Sequence, residues 1–460
     1  MQGIIAFLSS QILGDAAILF GLVTLIGLLL QRKPVSQVIM GTAKTVIGFL
    51  ILLEGAMLLT NITTPVASWI GTLLNVQGVQ PSMWAVLGIS MAELGTAVGV
   101  SLLLGFVLNL VLAWITPYRY INVTGHIMLV WGAFLVGVLA GFGMNGLPLL
   151  VAGTITCGLS YWLAPTLMYP ALKDRVTDEW SLCMPCVTGV LAGYWGGRLI
   201  GQQDKGFEDM KVPDYLAWLR DSVVNIAILS MVLWLILGLL VGKDVVQQAA
   251  GTQNWIIFLI MMGAKFSGGI AIILYGVRML IAEIVPAFAG IADKLFPGAL
   301  LGLDYPTVFG FSPMAVFIGF LAKLLGAIVG TLLMVVFRTP VVVMPSVFMD
   351  FWDGALIGVV ADRVGGRRAA MVIPFVWGIV TQFGFMLMVP LLGGPLGQMS
   401  ALNDYPDVGW LTPLWFLTRE VTNLAGEWGG AILWIVILVV VVIAANLIGR
   451  RGKKATEAAG

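Results

Sequence analysis

Apolar runs of about 20 residues recur along the whole chain, separated by short polar segments. The hydrocarbon core of a bilayer is about 30 Å thick, and a helix needs about 20 apolar residues to cross it. We therefore predict an all-α polytopic membrane protein with about eleven transmembrane helices. The predicted spans are 13–31, 36–60, 96–116, 125–143, 146–170, 222–242, 254–285, 313–337, 340–361, 369–392 and 429–449.

Two further stretches, 61–95 and 286–312, are moderately apolar but interrupted by Pro and Gly. Irregular backbone at membrane depth is tolerated only where it is buried in protein or lines a watery cavity. We therefore predict two re-entrant hairpins here. Transporter sites are commonly built from such broken segments.

The second half of the chain repeats the first. "AILFGLVTLIGLLLQRK" resembles "AILSMVLWLILGLLVGK", "AKTVIGFLILLEGAMLL" resembles "AKFSGGIAIILYGVRML", and "WGAFLVGVLAG" resembles "DGALIGVVAD"; these segments start at Ala17 and Ala227, Ala43 and Ala264, and Trp131 and Asp353. Each repeat has five predicted crossings, so the second copy must run through the membrane in the opposite sense. The predicted organisation is a first inverted repeat with its cytoplasmic connecting loop (1–220), a second inverted repeat (221–392), and an external loop, last helix and basic cytoplasmic tail (393–460).

The distribution of Lys and Arg predicts the orientation in the membrane. With the basic C-terminal tail placed in the cytoplasm, eighteen Lys and Arg lie inside and three, Lys243, Arg338 and Arg419, lie outside. The N-terminus is then outside. Overall, 24 Lys and Arg balance 23 Asp and Glu, so the chain lacks the excess positive charge that nucleic-acid binding requires.

Ionisable residues inside spans are costly and are functional candidates by default. Those predicted within spans or hairpins, or at their edges, are Glu54, Glu93, His126, Lys265, Arg278, Glu283, Asp304 and Lys323. Structural roles are also open for several of them. Arg278 and Glu283 would satisfy one another or a neighbour, Lys323 would extend along its helix toward the inner face, and Glu54 would be a polar contact in a dimer or scaffold region.

Asp304 lies in the segment "LGLDYPTVFG", and His126 is the one histidine of the chain. A carboxylate in a predicted re-entrant segment cannot easily reach bulk water and needs a partner. Sugar hydroxyls would donate hydrogen bonds to it, while an imidazole can donate from one nitrogen and accept at the other. On spacing alone, His126 is either such a ligand or a satisfied interfacial residue, and Trp131 either stacks on a sugar ring or packs in the core.

Cys183 and Cys186 form a C-x-x-C motif beside Pro185. A four-ligand metal site would need a second such pair or suitably spaced histidines, and the chain has neither. We interpret the two cysteines as small, moderately apolar residues at a turn. We expect no metal or other cofactor.

Several stretches resemble the IIC permeases of the bacterial phosphoenolpyruvate-dependent phosphotransferase system (PTS), ascorbate type, in the ascorbate–galactitol superfamily. They are "GTAKTVIGFLILLEG" (41–55), "TGHIM" (124–128), "YGVRMLIAEIVPAFAGIADKLFPGALLGLD" (275–304), "FSPMAVFIGF" (311–320) and "GGRRAA" (365–370). The resemblance implies a homodimer with a scaffold and a mobile core domain. It also implies separate IIA and IIB proteins, with the IIB phosphocysteine phosphorylating the sugar at the inner face.

The resemblance places His126 and Asp304 on the substrate-binding histidine and aspartate of the family, in its T-G-H and L-D motifs. Elsewhere the chain departs from the ascorbate permeases. It has Val130 and Trp131 in place of glutamines, Cys186 to Thr188 in place of a second histidine followed by glutamines, and Gly95 in place of a tyrosine. The candidate substrate-binding residues are His126, Asp304, Glu93, Thr96, Thr124, Trp131 and Thr188.

These observations predict a sugar, polyol or sugar-acid permease of the IIC type, in the bacterial inner membrane, with elevator-like inward transport. The phosphoryl chemistry would belong to IIB, so the chain alone is not expected to be catalytic. The alternative is an ion-coupled secondary transporter of the same fold, without phosphorylation. In that case Glu93, Glu283 and Asp304 would bind protons or sodium.

Overall fold

The computed structural model describes residues 16–74, 78–173, 175–202, 205–209, 222–398 and 400–459. The α-helices are α1 (Ala16–Leu30), α2 (Val35–Leu74), α3 (Met83–Ile115), α4 (Gly125–Gly141), α5 (Gly146–Leu172), α6 (Val187–Ile200), α7 (Ser222–Val241), α8 (Lys243–Ala250), α9 (Trp255–Leu295), α10 (Pro313–Val336), α11 (Val347–Met388), α12 (Gly394–Gln398), α13 (Asp407–Trp410) and α14 (Thr412–Ala459). The strands are β1 (Tyr120–Asn122), β2 (Trp180–Leu182) and β3 (Leu300–Leu303), and 3-10 helices span Tyr305–Phe311 and Val389–Leu391.

Among these residues, seven helices are long and apolar enough to cross a membrane, and three shorter apolar helices accompany them. The predicted class, a largely helical polytopic membrane protein, is therefore confirmed, while eleven crossings remain a prediction. Some boundaries differ from those predicted. The span predicted from residue 340 becomes helical only at Val347, because Pro345 precedes the cap and Ser346 accepts a hydrogen bond from Met349 N (3.4 Å).

The long helix α11 is a hairpin of two arms. It breaks at Gly366, whose φ of 70° and ψ of −171° belong to a region that is essentially restricted to glycine. The arm before Gly366 packs on α10 in the antiparallel direction, and the arm after it packs on α10 in the parallel direction. The contacts join Gly354 to Phe320, Gly358 to Ala315, Gly378 to Gly326 and Gln382 to Gly330.

The last helix, α14, folds back in the same way at Gly426 (φ 72°, ψ −177°). Gly430 packs against Thr422. The rings of Trp415 and Trp434 lie 5.7 Å apart between centroids, although 19 residues of straight helix would separate them by about 28 Å. The chain therefore reverses direction between these two tryptophans.

The two stretches predicted to be re-entrant share one pattern. Each contains the end of a long helix (α2 or α9), an extended segment, and the beginning of a further helical segment. Their position relative to a bilayer remains a prediction. Their extended segments form short parallel pairings with segments that are distant in sequence.

In the first of these pairings, β3 lies between β1 and β2, and all three strands are parallel. The second is an isolated parallel bridge between Val79 and Val343. Residue 301 lies 222 positions after Val79, and residue 121 lies 222 positions before Val343. Leu301 and Ile121 are paired with each other in the three-stranded sheet, so the bridge occupies the repeat-equivalent position.

The predicted external loop after residue 392 contains a fully buried segment, 401–408. Asp404 accepts hydrogen bonds from Met83 N (3.0 Å) and Ser346 Oγ (2.7 Å). Asp407 accepts one from Val187 N (2.7 Å). Their carboxylates thus satisfy backbone amides at the first turns of α3 and α6, which explains why a polar segment can be buried.

Candidate functional site

The site is built where the three parallel strands end. Because carboxyl ends of parallel strands meet at one edge of a sheet, the residues that follow β1, β2 and β3 come together. Asp304 directly follows β3, Cys183 directly follows β2, and the T-G-H segment with His126 follows β1 and begins α4. The sheet therefore brings together residues that are 178 positions apart in the chain.

Asp304 uses its two carboxylate oxygens differently. Oδ1 accepts a hydrogen bond from Tyr305 N (2.6 Å), which caps the 3-10 helix. Oδ2 lies 3.3 Å from His126 Nε2. The backbone carbonyl of Asp304 accepts a hydrogen bond from Thr307 Oγ1 (2.5 Å). The fold fixes one oxygen, and the other faces the imidazole.

His126 is the second residue of α4, and 27% of its side chain is exposed. Its ring centroid lies 5.8 Å from that of Phe49 on α2. Nδ1 is buried and has no hydrogen-bond partner among the described residues. Because Nε2 faces Asp304, it is placed to donate a hydrogen bond to that carboxylate, which leaves Nδ1 as the ring nitrogen without a partner.

His126 and Asp304 line a cavity of about 240 Å³ between the two halves of the protein. Its other walls come from α2, the first turns of α3 and α11, the 3-10 helix and the buried segment 401–408. Most of the lining is apolar or aromatic. The remaining lining residues are Leu52, Leu53, Met57, Met83, Trp84, Ile127, Tyr305, Pro306, Phe348, Met349, Trp352 and Tyr405.

Tyr405 is a further polar residue of this cavity that the sequence analysis missed. Its side chain is fully buried, and its hydroxyl has no hydrogen-bond partner in the described part of the chain. It lies in a segment to which the sequence analysis assigned no site residue. Two residues of the cavity wall, His126 and Tyr405, thus each carry a buried polar atom that has no partner among the described residues.

Thr124 lies behind the cavity. It is fully buried, and its Oγ1 is 2.9 Å from Cys183 Sγ. Cys183 Sγ also donates a hydrogen bond to Leu303 O (3.3 Å). Thr124 and Cys183 therefore join the ends of the strands, one layer behind His126 and Asp304. Cys186 is buried at the N-cap position that directly precedes α6.

Trp131 and Thr188 line a different cavity, of about 270 Å³, between α4, α5, α6 and α14. Trp131 is packed against Tyr405, with ring centroids 5.7 Å apart, so Tyr405 separates it from His126 and Asp304. Thr188 Oγ1 donates to Asp407 Oδ1 (2.5 Å). The structure therefore places these two candidates at a different cavity from that of His126 and Asp304.

Glu93 and Thr96 are exposed on α3, beside the kink at Leu94 (φ −127°, ψ 18°). Neither lines the cavity of His126 and Asp304. Glu283 forms an ion pair with Lys44 (3.1 Å) and lines another cavity. The three carboxylates suggested as ion ligands are thus not gathered at one cavity.

Glu54, Lys265 and Arg278 are exposed on the long helices α2 and α9. Lys323 differs from its predicted role, because only 1% of its side chain is exposed, and it therefore does not extend toward the membrane surface. Its Nζ lies 2.5 Å from Asp350 Oδ1 and 3.5 Å from Asp353 Oδ2. The sequence analysis missed both aspartates, although their spacing of three residues within a predicted span places them on one helical face.

Comparisons with known proteins identify the family to which the chain is similar. Residues 11–405 match the family described as "PTS system sugar-specific permease component". The chain is 25% identical over 421 residues to the "Ascorbate-specific PTS system EIIC component" of Mycoplasma pneumoniae (strain ATCC 29342 / M129 / Subtype 1). That alignment covers 80% of this chain and 64% of the relative, so the chain spans less than two thirds of the length of the protein it matches.

Proposed function

This chain belongs to the sugar-specific permease components of the phosphotransferase system, and we propose that it is a IIC component that carries a sugar, polyol or sugar acid into a bacterial cell. The pairing of His126 with Asp304 at the wall of an otherwise apolar cavity carries this proposal. Such a cavity, with a few convergent polar groups, is the usual form of a small-molecule site.

The chemistry of the cavity suits a compound with several hydroxyl groups. Asp304 Oδ2 accepts a hydrogen bond from one hydroxyl, and His126 Nδ1 accepts from another. The Tyr405 hydroxyl both donates and accepts. The aromatic faces of Trp84 and Trp352 offer apolar contact to the C–H groups of a sugar.

The substrate need not be ascorbate, which is named only for the mycoplasma relative. Val130 and Trp131 stand where the ascorbate permeases have glutamines, and neither lines this cavity. A site that hydrogen-bonds a substrate loses orders of magnitude in selectivity when its donors are removed. We therefore propose a substrate recognised by few polar groups and by aromatic contact.

Alternating access would come from inverted repeats. Gly48 on α2 contacts Gly276 on α9, and Gly55 contacts Gly269. Position 269 is the repeat equivalent of position 48, and position 276 is that of position 55, because each lies 221 residues later. Exchanging the two repeats therefore converts the contact between 48 and 276 into the contact between 269 and 55. α2 and α9 run antiparallel, so the pseudo-two-fold axis is perpendicular to them and would lie in the membrane plane. That geometry supports inverted repeats with a site at their interface, and elevator-type movement of a core domain.

The proposed complex is a homodimer in the bacterial plasma membrane, with the N-terminus outside and the C-terminus in the cytoplasm. Separate IIA and IIB proteins would deliver the phosphoryl group. The IIB phosphocysteine would phosphorylate the sugar after it reaches the inner face. The dianionic product would neither fit a cavity that contains a carboxylate nor recross lipid, so uptake would be unidirectional.

Uptake into proteoliposomes tests the proposal. Vesicles with the purified chain are compared with and without phosphorylated IIB, using radiolabelled ascorbate, galactitol and pentitols. We expect accumulation of a phosphorylated product only when phosphorylated IIB is enclosed on the cytoplasmic side. The control is IIB in which the acceptor cysteine is replaced by serine.

Concentrative uptake of an unmodified sugar, driven by a proton or sodium gradient without IIB, would instead establish the secondary transporter. Binding without any transport would remove both functions. These outcomes are distinguished by the chemical form of the accumulated solute and by its dependence on ionophores.

A further inference from the structure

A second polar cluster lies deep in the protein, outside the cavity of His126 and Asp304. It consists of Lys323 on α10 and of Asp350 and Asp353 on the first arm of α11. The exposed fractions of their side chains are 1%, 5% and 0%. With all three groups ionised, the cluster would carry one uncompensated negative charge, and such a charge is strongly unfavourable in a protein interior.

The hydrogen bonds of the cluster show the same imbalance. Lys323 Nζ bonds Asp350 Oδ1 at 2.5 Å but is 3.5 Å from Asp353 Oδ2. Asp350 Oδ2 and both oxygens of Asp353 have no hydrogen-bond partner among the described residues. Three buried acceptors thus lack a donor, although buried polar atoms nearly always have one.

The groups that face Asp353 from neighbouring elements do not supply positive charge. They are Asp407 on α13, Cys186 before α6 and Tyr305 on the 3-10 helix. Asp407 accepts three hydrogen bonds, from Val187 N, Thr188 N and Thr188 Oγ1, which offset part of the cost of burying its charge. Its negative charge makes ionisation of Asp353 still more costly.

The fold itself does not require these charges. The positions 222 residues before Lys323, Asp350 and Asp353 are Ser101, Met128 and Trp131. All three are buried, so the first repeat packs the corresponding region without a charged residue. The cluster is therefore a feature of the second repeat alone, and packing of the corresponding region of the first repeat does not require it.

We propose that the cluster of Lys323, Asp350 and Asp353 is a proton-binding site, in which Asp353 holds one proton at neutral pH. The proton removes the uncompensated charge and converts one acceptor oxygen into a donor. Asp353 rather than Asp350 holds it, because Lys323 bonds Asp350 closely and Asp407 lies on the side of Asp353. This inference concerns the packing of α6, α10 and α11 and does not depend on the transported substrate.

A bound proton makes stability depend on pH. In the unfolded chain an aspartate is deprotonated above about pH 5, whereas the folded protein retains one proton on Asp353. Stability therefore falls as pH rises above about 5, by a factor of about ten in the unfolding equilibrium for each pH unit, and stops falling where the folded state also loses the proton. Asparagine at position 353 has the shape and neutral charge of the protonated acid and abolishes this contribution.

The test is thermal unfolding of the purified full chain in detergent, from pH 5.5 to 9, for wild type, Asp353→Asn and Asp350→Asn. We expect Asp353→Asn to melt at least as high as wild type at pH 8, with a smaller decline as pH rises. Asp350→Asn also removes the excess charge, so its decline is smaller too. However, it replaces the charged partner of Lys323 at 2.5 Å by a neutral amide oxygen, which weakens this contact, so it melts lower at every pH.

Infrared spectroscopy provides a readout that altered packing alone would not change. We expect wild type at pH 7 to show the carbonyl stretch of a protonated carboxylic acid, and Asp353→Asn to lack it. Absence of that band from wild type would overturn the proposal. It would also be overturned if Asp353→Asn melted lower than wild type with an unchanged pH dependence, since Asp353 would then act as an ionised partner of Lys323.

Discussion

Asp304 shows how one side chain serves both fold and cavity. Its Oδ1 accepts a hydrogen bond from Tyr305 N, while Oδ2 faces His126 Nε2. Asp304→Asn can keep the first contact through the amide oxygen but loses the charged acceptor in the cavity. Because hydrogen bonds to charged groups contribute about 1.5–3 kcal/mol, we expect sugar affinity to fall about tenfold to a hundredfold, measured by equilibrium binding to purified protein.

A matched control for this substitution is Asp407→Asn, the same chemical change at a carboxylate that caps α6. It should lower the melting temperature, because cap removal costs about 1 kcal/mol, while the remaining folded protein keeps its affinity. Equal affinity of Asp304→Asn and wild type would exclude Asp304 from the site.

His126 has a repeat-equivalent position 222 residues later, which is occupied by Phe348. Since the protein packs a phenyl ring at that position, His126→Phe should preserve the volume of the imidazole and the fold while removing both nitrogens. We expect an affinity loss of at least about tenfold with a melting temperature close to that of wild type. A large drop in melting temperature with normal affinity would instead identify His126 as a structural residue.

The sequence predicted individual site residues unevenly. The resemblance in the T-G-H and L-D motifs pointed to His126 and Asp304, and the structure places Nε2 of the first 3.3 Å from Oδ2 of the second. The pairing of Lys323 with Asp350 could not be predicted in the same way, since it depends on the antiparallel packing of α11 on α10. Trp131 and Thr188 face a different cavity. Tyr405, from a segment distant in sequence, packs on Trp131 and separates it from His126 and Asp304.

At the scale of elements, glycine decides how closely α2 and α9 approach. A Cβ at Gly276 would lie 2.5 Å from both Gly48 O and Leu52 N. These are backbone atoms that cannot rotate away, so Gly276→Ala must separate the helices. We expect a loss of about 1–3 kcal/mol, the usual cost of overpacking, seen as a lower melting temperature.

Gly268, on the same helix, is the matched control, because a Cβ there meets no atom within 4 Å. Gly268→Ala should leave the melting temperature unchanged or raise it slightly, since alanine is the better helix former. If both substitutions had the same effect, close packing of α2 on α9 would not contribute to stability.

The length of the apolar runs predicted where the helices lie better than it predicted the residues at which they begin and end. The spans predicted at 340–361 and 369–392 fall on the two arms of α11, and the break between them lies at Gly366 in the "GGRRAA" segment. Hydrophobicity could not show that α2 continues as a helix past Pro65 to Leu74. Tertiary packing fixes that end, and the residues concerned are only moderately apolar.

At the scale of the whole molecule, the two halves make equivalent contacts with each other. The bridge between Val79 and Val343 is equivalent to the pairing of Leu301 with Ile121, because replacing each residue by its counterpart 222 positions away converts one pair into the other. In each pairing, one strand segment comes from each half of the chain. Neither half can therefore complete its own central pairing, and the cavity of His126 and Asp304 lies where the halves meet.

The sequence similarity of the two halves predicts repeats, and these equivalent contacts support that prediction, but the similarity does not predict where the halves touch. The spacing between similar segments is 210 residues at the first helix of each repeat and 221 at the second, so the second repeat has eleven additional residues. They accommodate α8 (Lys243–Ala250), an amphipathic helix between α7 and α9. Residues 31–34, between α1 and α2, are too few for such a helix.

Inverted repeats make a prediction that parallel repeats do not. Lys33 and Lys243 are equivalent positions of the two repeats, and both are exposed. If the repeats cross the membrane in opposite senses, single cysteines at these two positions must react with an impermeant maleimide from opposite sides. We expect Lys243→Cys to be labelled in intact cells and Lys33→Cys only after lysis.

The native Cys157, Cys183 and Cys186 are buried, so the unmodified chain should give little background in this experiment. Arg363→Cys, at an exposed position predicted to be cytoplasmic, serves as a further control and should behave like Lys33→Cys. Labelling of positions 33 and 243 from one side would mean that the halves run in the same sense. The equivalent glycine contacts of α2 and α9 would then not reflect an axis in the membrane plane, and alternating access by exchange of the two halves would have no structural basis.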